Sequence, residues 1–96
     1  MQIQQKQEGS KGSFYVEEGG NMLAEMTYSM AGPELMIIDH TEVSDELKGQ
    51  NVGYQLVKAG VEFARANHMK VFPLCPFANA MFKKKAAEFG DVLRSN

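Results

Sequence analysis

Alternating apolar and polar side chains between residues 22 and 30 constrain the fold of this sequence more than any other feature. Met22, Ala24, Met26, Tyr28 and Met30 occupy the even positions, with polar Glu25, Thr27 and Ser29 between them. A period of two puts the apolar side chains on one face of a β-strand, which then covers a core with that face and meets water with the other. The turn-forming segment 31–34, Ala-Gly-Pro-Glu, follows directly, so we expect an antiparallel neighbour.

The flanking segments predict the rest of an α/β fold. We expect strands at 13–17 and 35–43, a helix from Val52 to Ala66, a short strand at 70–74, and a second helix from Pro76 to Gly90. A right-handed crossover makes the strands at 35–43 and 70–74 parallel. The expected architecture is a mixed sheet of about four strands, an antiparallel meander plus a parallel β-α-β crossover, with two helices. Residues 1–10 are expected to be flexible or a short edge strand.

Length and composition restrict the class of protein. The 96 residues, 44% of them hydrophobic and 23% charged, are typical of a single globular domain, expected to span residues 1–96. No apolar run approaches the roughly 18 residues of a membrane span, and the first ten residues do not resemble a secretory signal. A lone cysteine, Cys75, cannot close an internal disulfide, which favours a cytoplasmic location.

The charge distribution limits the partners. The first 48 residues carry three lysines and nine acidic residues, whereas the last 48 carry seven basic and three acidic residues, for a net charge of −2. A chain that is acidic overall is a poor nucleic-acid binder, so we expect none. The lysine run 83–85 either contacts a small polyanion or is the solvated face of a helix. Exposed edges of a small sheet can pair with a second copy of the chain, so a homodimer is an alternative to a monomer.

The segment 48–53, Lys-Gly-Gln-Asn-Val-Gly, joins the third predicted strand to the first helix. Backbone N–H groups at a helix N-terminus lack intrahelical acceptors, and glycines allow a ligand to approach the backbone. The segment is therefore either a phosphate cradle or a plain turn. Its spacing matches neither the P-loop nor the dinucleotide-binding glycine pattern.

Cys75 and His40 are the candidate catalytic side chains. Cys75 lies where a strand ends and a helix begins, a position that favours a reactive thiolate, although a buried structural cysteine is the alternative. His40 lies near a strand end, where it either relays protons or makes a structural hydrogen bond. One cysteine and two scattered histidines do not form a zinc site, so we expect no metal.

Together these features resemble a known family. Residues 35–90 are similar to the cofactor-binding half of a GNAT-type N-acetyltransferase, in particular to its very small single-domain members. The resemblance rests on His40-Thr41-Glu42-Val43, on the stretch 47–57 around the glycine loop, and above all on Pro73-Leu74-Cys75-Pro76-Phe77.

The resemblance implies that acetyl-CoA binds where the strands at 35–43 and 70–74 splay apart. The pantetheine arm would lie in that opening, and the pyrophosphate would rest on the backbone amides of residues 50–53. Asn79 would hydrogen-bond the cofactor, and Lys83 would reach its phosphates. The full implied cofactor set is Thr41, Glu42, Val43, Lys48, Gly49, Gln50, Asn51, Val52, Gly53, Tyr54, Phe77, Asn79 and Lys83.

The chain also departs from the family pattern. Asn51 stands where the family's first loop glycine is expected, and Lys48 stands where arginine is common. The second helix lacks the tyrosine that serves as general acid in larger members, which leaves Cys75 and His40 as substitutes. The leading prediction is acetyl transfer from acetyl-CoA to an amine, on a protein lysine, a polyamine or a small molecule. The alternatives are a non-catalytic acyl-CoA-binding module and a structural domain without a ligand.

Overall fold

A mixed sheet of five strands, in the order β1-β2-β3-β4-β5, forms the frame of the molecule. The structure, a computed structural model, describes residues 2–94. Its strands are β1 (Gln4–Glu8), β2 (Lys11–Glu18), β3 (Asn21–Met30), β4 (Leu35–Val43) and β5 (Lys70–Pro73), and its helices are α1 (Val52–Ala66), α2 (Pro76–Lys84) and α3 (Ala86–Phe89). Single 3₁₀ turns cover Asp45–Leu47 and Gly90–Val92.

The predicted α/β fold with a mixed sheet is confirmed. Strands β1 to β4 pair antiparallel in sequence order, and β5 pairs parallel with β4. The sheet has five strands rather than about four because residues 4–8 pair with β2 as an edge strand. Pro73 is the last residue of the opposite edge strand, where its missing N–H costs no ladder bond.

One face of the sheet packs against α1 and forms the core. Ala24, Met26 and Tyr28 of β3 are buried as the alternation predicts, beneath apolar residues of α1 such as Leu56 and Val61. Met22 departs from the predicted face and is 42% exposed. The register shifts there, with Val16 opposite Ala24 and Glu17 opposite Met22, so the bulge turns Met22 away from the core.

The helical segment after β5 bends at Lys85 instead of running straight to Gly90. Lys85 has φ −110° and ψ 37°, outside the helical range, and separates α2 from α3. The bend accompanies the burial of Phe89, which packs against Phe82 and stacks on Tyr54 at centroid distances of 5.6 and 5.8 Å. The structure therefore has three α-helices rather than the expected two.

The other face of the sheet carries no helix within residues 2–94 and is largely polar. Its side chains come from the alternate positions of β1 to β4, including Glu25, Thr27 and Ser29 of β3. We call it the open face. No helix among the described residues is long and apolar enough to cross a membrane.

Candidate functional site

The sheet splits between β4 and β5, and this fork is the centre of the candidate site. The two strands pair from Leu35 opposite Lys70 to Ile38 opposite Pro73, and no further. The Cys75 N–H donates the last connecting hydrogen bond, to the Ile38 carbonyl at 3.0 Å. Beyond this point β4 continues to Val43 along β3 alone, so its other edge is free to hydrogen-bond a ligand.

A bulge in β4 lies directly at the fork. Thr27 of β3 faces His40, but the next residue, Tyr28, faces Ile38, so Asp39 is the extra residue. A bulge bends its strand and increases the local twist, which turns the end of β4 away from β5. The bulge in the backbone of β4 therefore explains why β4 and β5 separate at this point.

Cys75 lies at the base of the fork and is 4% exposed. It is the residue before α2, and its Sγ donates a hydrogen bond to Thr41 Oγ1 of β4 at 3.6 Å. This contact crosses the opening between the two strands, so the Cys75 side chain links β4 to α2 and brings a thiol to the fork.

His40 is not brought into contact with Cys75. Its side chain is 63% exposed, and its Nε2 lies 2.9 Å from Glu42 Oε1. Neighbouring strand residues point to opposite faces. Thr41 faces the Cys75 side, whereas His40 and Glu42 lie on the open face, so Cys75 and His40 flank β4 from its two sides.

The predicted phosphate cradle forms a tight loop before α1. Gly49 has φ 81°, and Asn51 has φ 62° and ψ 30°, both left-handed. The first backbone bond of the helix runs from the Gln55 N–H to the Asn51 carbonyl at 3.1 Å. The preceding N–H groups, of Val52, Gly53 and Tyr54, have no acceptor among residues 2–94. They form a set of free donors at the positive end of the helix dipole.

A groove of about 270 Å³ lies between this loop and the start of α2. Predicted cofactor residues and two further apolar side chains, Leu47 and Met81, line it together: Val43, Leu47, Lys48, Gly49, Asn51, Val52, Gly53, Tyr54, Phe77 and Met81. Val43 and Phe77 are 37% and 41% exposed, so they offer apolar surface to a ligand. A Cβ on Gly53 would overlap the Phe77 ring, so only glycine allows this approach.

Other predicted residues lie outside this groove. Asn79 and Lys83 share a face of α2 that points away from Phe77 and Met81, and both are exposed. Gln50 is exposed too, and its carbonyl accepts a hydrogen bond from Gln55 Nε2. The helical spacing of Phe77 and Met81 was the sequence signal that would have identified Met81 as a lining residue.

Tyr54 lines the groove with its ring but directs its hydroxyl elsewhere. The hydroxyl donates a hydrogen bond to Glu88, and this bond raises the pKa of Tyr54 above its ordinary value. The ring also stacks on Phe89, and the Lys85 ammonium lies 5.2 Å from its centroid. The phenol therefore ties α1 to α3.

The family model that matches this chain describes a GCN5-related N-acetyltransferase and covers residues 13–92. The chain belongs to this family. A GCN5-like protein from Staphylococcus aureus, solved by NMR, is 41% identical, with a TM-score of 0.72 over 97% of this chain and 89% of that one. The resemblance seen in the sequence is thereby confirmed, and the fork, the loop before α1 and the groove lie within the matched residues.

More distant acetyltransferases share the fold. A ribosomal-protein-alanine N-acetyltransferase from Brucella melitensis is 12% identical, with a TM-score of 0.67 over 81% of this chain and 62% of that one. The enzyme AAC(6')-Iy, solved with the bisubstrate analogue CoA-S-monomethyl-acetylneamine, is 14% identical, with a TM-score of 0.54 over 91% and 67%. A comparison with curated proteins finds no match.

Metal ligands are not grouped in the described part of this acetyltransferase chain. Within residues 2–94, no three His, Cys, Asp or Glu side chains lie close enough together to hold a metal ion. The free thiol of Cys75 is buried.

Proposed function

We propose that this protein transfers the acetyl group of acetyl-CoA to a primary amine. The observation that carries the proposal is the fork itself, because it offers a free strand edge, a proton-bearing thiol and a set of unused helix N–H groups near one another. Acetyl-CoA supplies an activated acetyl thioester. The buried free thiol of Cys75 suits a reducing cytoplasm.

The residues present fit this cofactor. The free N–H groups of Val52, Gly53 and Tyr54 are suited to a pyrophosphate. The Lys48 ammonium of the same loop, 79% exposed, lies 3.3 Å from Asp45 Oδ1 and is available to exchange this surface partner for a phosphate. The apolar surfaces of Val43 and Phe77 suit the pantetheine arm. The free edge of β4, residues 39–43, can hydrogen-bond pantetheine amides as a neighbouring strand would.

The reaction replaces the C–S bond of the thioester with a C–N bond to the amine, and it requires two proton transfers. The amine loses a proton and its nitrogen attacks the thioester carbon, after which the C–S bond breaks and the sulfur takes up a proton. His40, on the open side of β4, is placed to receive the amine proton, and Cys75, on the other side, is placed to protonate the leaving sulfur. Because Cys75 is buried and already donates to Thr41, we propose direct transfer rather than an acetyl-cysteine intermediate.

Calorimetry with CoA tests the cradle. Gly53→Val would cover the free N–H groups and displace the Phe77 ring, so we expect at least tenfold weaker CoA binding, about 1.4 kcal/mol. Gly90→Ala is the matched control, because Gly90 has an ordinary helical φ of −64° and nothing within 4 Å of an added Cβ. Equal CoA affinity in folded Gly53→Val and wild-type protein would refute the cradle.

A second experiment tests Cys75. We expect Cys75→Ala to lower turnover by roughly 10²–10⁴-fold while CoA still binds, since it removes a general acid. Intact mass after incubation with acetyl-CoA alone should show no adduct, whereas a covalent route would leave an acetyl group on the wild-type protein only. Full turnover by Cys75→Ala would make this residue a packing residue.

The non-catalytic alternative has a clear signature in the same measurements. A module that only binds acyl-CoA would bind CoA tightly and acetylate none of a panel of lysine peptides, polyamines and small amines. Under the acetyltransferase proposal at least one acceptor is turned over, and His40→Ala slows that reaction without loss of CoA binding.

A further inference from the structure

A second groove lies on the open face, across β1, β2 and β3, about two strands away from the fork. Its volume is about 600 Å³, and its lining residues are Lys6, Gln7, Glu8, Lys11, Gly12, Ser13, Glu25 and Thr27. Ser13 is 1% exposed, and its Oγ has no hydrogen-bond partner within residues 2–94. An unpaired buried hydroxyl is costly, so one that lines a groove indicates a ligand that completes its hydrogen bonding.

The charges around Ser13 are of both signs and do not neutralise one another. Lys6, Lys11, Glu8 and Glu25 line the groove, and no ion pair among the described residues joins any two of them. Lys11 instead donates to Ser29 Oγ at 2.8 Å, and the Lys6 ammonium lies 4.9 Å from the Tyr15 ring centroid. A ligand with an anionic and a cationic group would match this lining better than a purely cationic one.

The register orders these groups along a line that ends at the fork. Lys6 is opposite Ser13, Ser13 is opposite Thr27, and Thr27 is opposite His40, so the four form one row across the open face. The side chain of Lys6 stands at the outer end of the row, on the edge strand β1. Glu25 and Glu42, a directly opposed pair, lie beside its inner end. A dipolar ligand on this row is therefore oriented with its carboxylate at β1 and its ammonium at β4.

We propose that the acceptor is a free amino acid with a long side-chain amine, of the lysine class. Its carboxylate binds the Lys6 ammonium and Ser13 Oγ, and its terminal amine lies at His40 between Glu25 and Glu42. Neighbouring strands are about 4.8 Å apart, so Ser13 and His40 are separated by about 10 Å, a distance that only an extended side chain can span. This inference rests on the acetyl transfer proposed above and names its substrate.

The transfer balances with this acceptor. The terminal ammonium first gives one proton to His40, and the neutral nitrogen then forms the new bond to the acetyl carbon. As the C–S bond breaks, the nitrogen loses a second proton to solvent and the sulfur takes the Cys75 proton. Solvent returns one proton to Cys75 and removes the one on His40. The products are the N-acetylated side chain, CoA thiol and one released proton.

The test compares three acceptors that present the same terminal amine. Lysine and 6-aminohexanoate carry a carboxylate at the far end, whereas cadaverine does not. We expect kcat/KM for the two carboxylates to exceed that for cadaverine at least tenfold, and Lys6→Met to remove most of this ratio. Lys58→Met, at an exposed position on α1, is the control and should leave the ratio unchanged.

Ser13→Ala separates ligand binding from folding. Removal of an unpaired buried hydroxyl should leave the melting temperature equal or higher, while calorimetry without any CoA should show at least fivefold weaker lysine binding. A merely structural serine would not produce this opposite pair of effects. Unchanged lysine affinity in Ser13→Ala, or equal use of lysine, cadaverine and a lysine within a peptide, would overturn the proposal.

These outcomes distinguish the two proposals. If lysine binds in a Ser13-dependent way but no acetyl group is transferred, the open-face site stands and the acetyltransferase proposal fails. If acetyl transfer proceeds with every amine alike, the enzymatic proposal stands and the amino-acid site is refuted.

Discussion

Asn51 is a residue whose backbone conformation matters more than its side chain. It holds φ 62° and ψ 30° at the N-terminus of α1, and its side chain makes no capping hydrogen bond. Left-handed backbone costs most residues roughly 1–2 kcal/mol, and asparagine tolerates it better than most. Asn51 departs from the family's glycine pattern, but asparagine is one of the few residue types that keep the left-handed backbone of this loop.

This conformation predicts the effect of substitution at Asn51. Asn51→Ala should lower the free energy of unfolding by about 1 kcal/mol, whereas Asn51→Gly should leave it equal or higher, as measured by urea denaturation. The neighbouring exposed Gln50→Ala is the control. Equal stability of Asn51→Ala and wild type would show that the loop relaxes out of the left-handed region.

At the scale of elements, the segment after α3 is tied to the end of α1. The Arg65 Nε and Nη2 atoms donate to both carboxylate oxygens of Asp91 at 2.8 and 2.7 Å, and the Lys70 ammonium donates to the Asp91 carbonyl at 2.7 Å. The hydrogen bonds from Arg65 lower the pKa of Asp91 below its ordinary value. These contacts hold the Gly90–Val92 turn beside β5.

The lowered pKa of Asp91 predicts how this attachment depends on pH. A carboxyl whose folded pKa lies below its unfolded value, about 3.9, stabilises the fold above that pH and loses its contribution as pH falls through the folded pKa. Asp91→Asn should therefore be modestly less stable than wild type near neutral pH, with the difference vanishing in acid. Urea denaturation between neutral and acid pH measures it.

The control for Asp91 is Glu46→Gln, in an exposed turn far along the chain. It removes the same negative charge without touching Arg65, so it measures the effect of net charge alone. A stability difference between Asp91→Asn and wild type that does not change with pH would mean that the pair with Arg65 contributes nothing beyond shape.

At the scale of the whole molecule, the proposed CoA site joins four parts of the fold. The groove takes residues from the end of β4, the cradle, α1 and α2. A ligand that binds only the folded state stabilises it by about 2.7 kcal/mol at one hundred times its Kd. We therefore expect CoA to raise the melting temperature markedly.

Ionic strength provides the specific test of the phosphate contacts. The Debye length falls from about 10 Å at 0.1 M salt to about 3 Å at 1 M, so the thermal shift with CoA should shrink as salt rises. Pantetheine, which lacks the phosphates, should give a smaller shift that salt hardly changes. A CoA shift that is insensitive to salt would place the phosphates away from Lys48 and the cradle.

Local sequence patterns predicted most of the strands and helices. Strand β4 at 35–43 has the bounds predicted from an apolar run that becomes polar, and helix α1 at 52–66 has the bounds predicted from helical spacing. The predicted elements occur in the predicted order, with β1 and α3 in addition. These patterns depend on side chains only a few residues apart, so the local sequence is enough to reveal them. The loop glycines and the Leu-Cys-Pro-Phe stretch likewise indicated the family before any fold was known.

Tertiary packing decided the features that make the site. The bulge at Asp39, the outward turn of Met22 and the bend at Lys85 depend on partners distant in the chain. Their energies are therefore absent from any local pattern. The same holds for the groove, where Met81 joins the predicted Phe77 in the lining, whereas Asn79 and Lys83 lie outside it. Sequence alone determined which residues form strands and helices, whereas only the packed sheet decided which side chains meet at the fork.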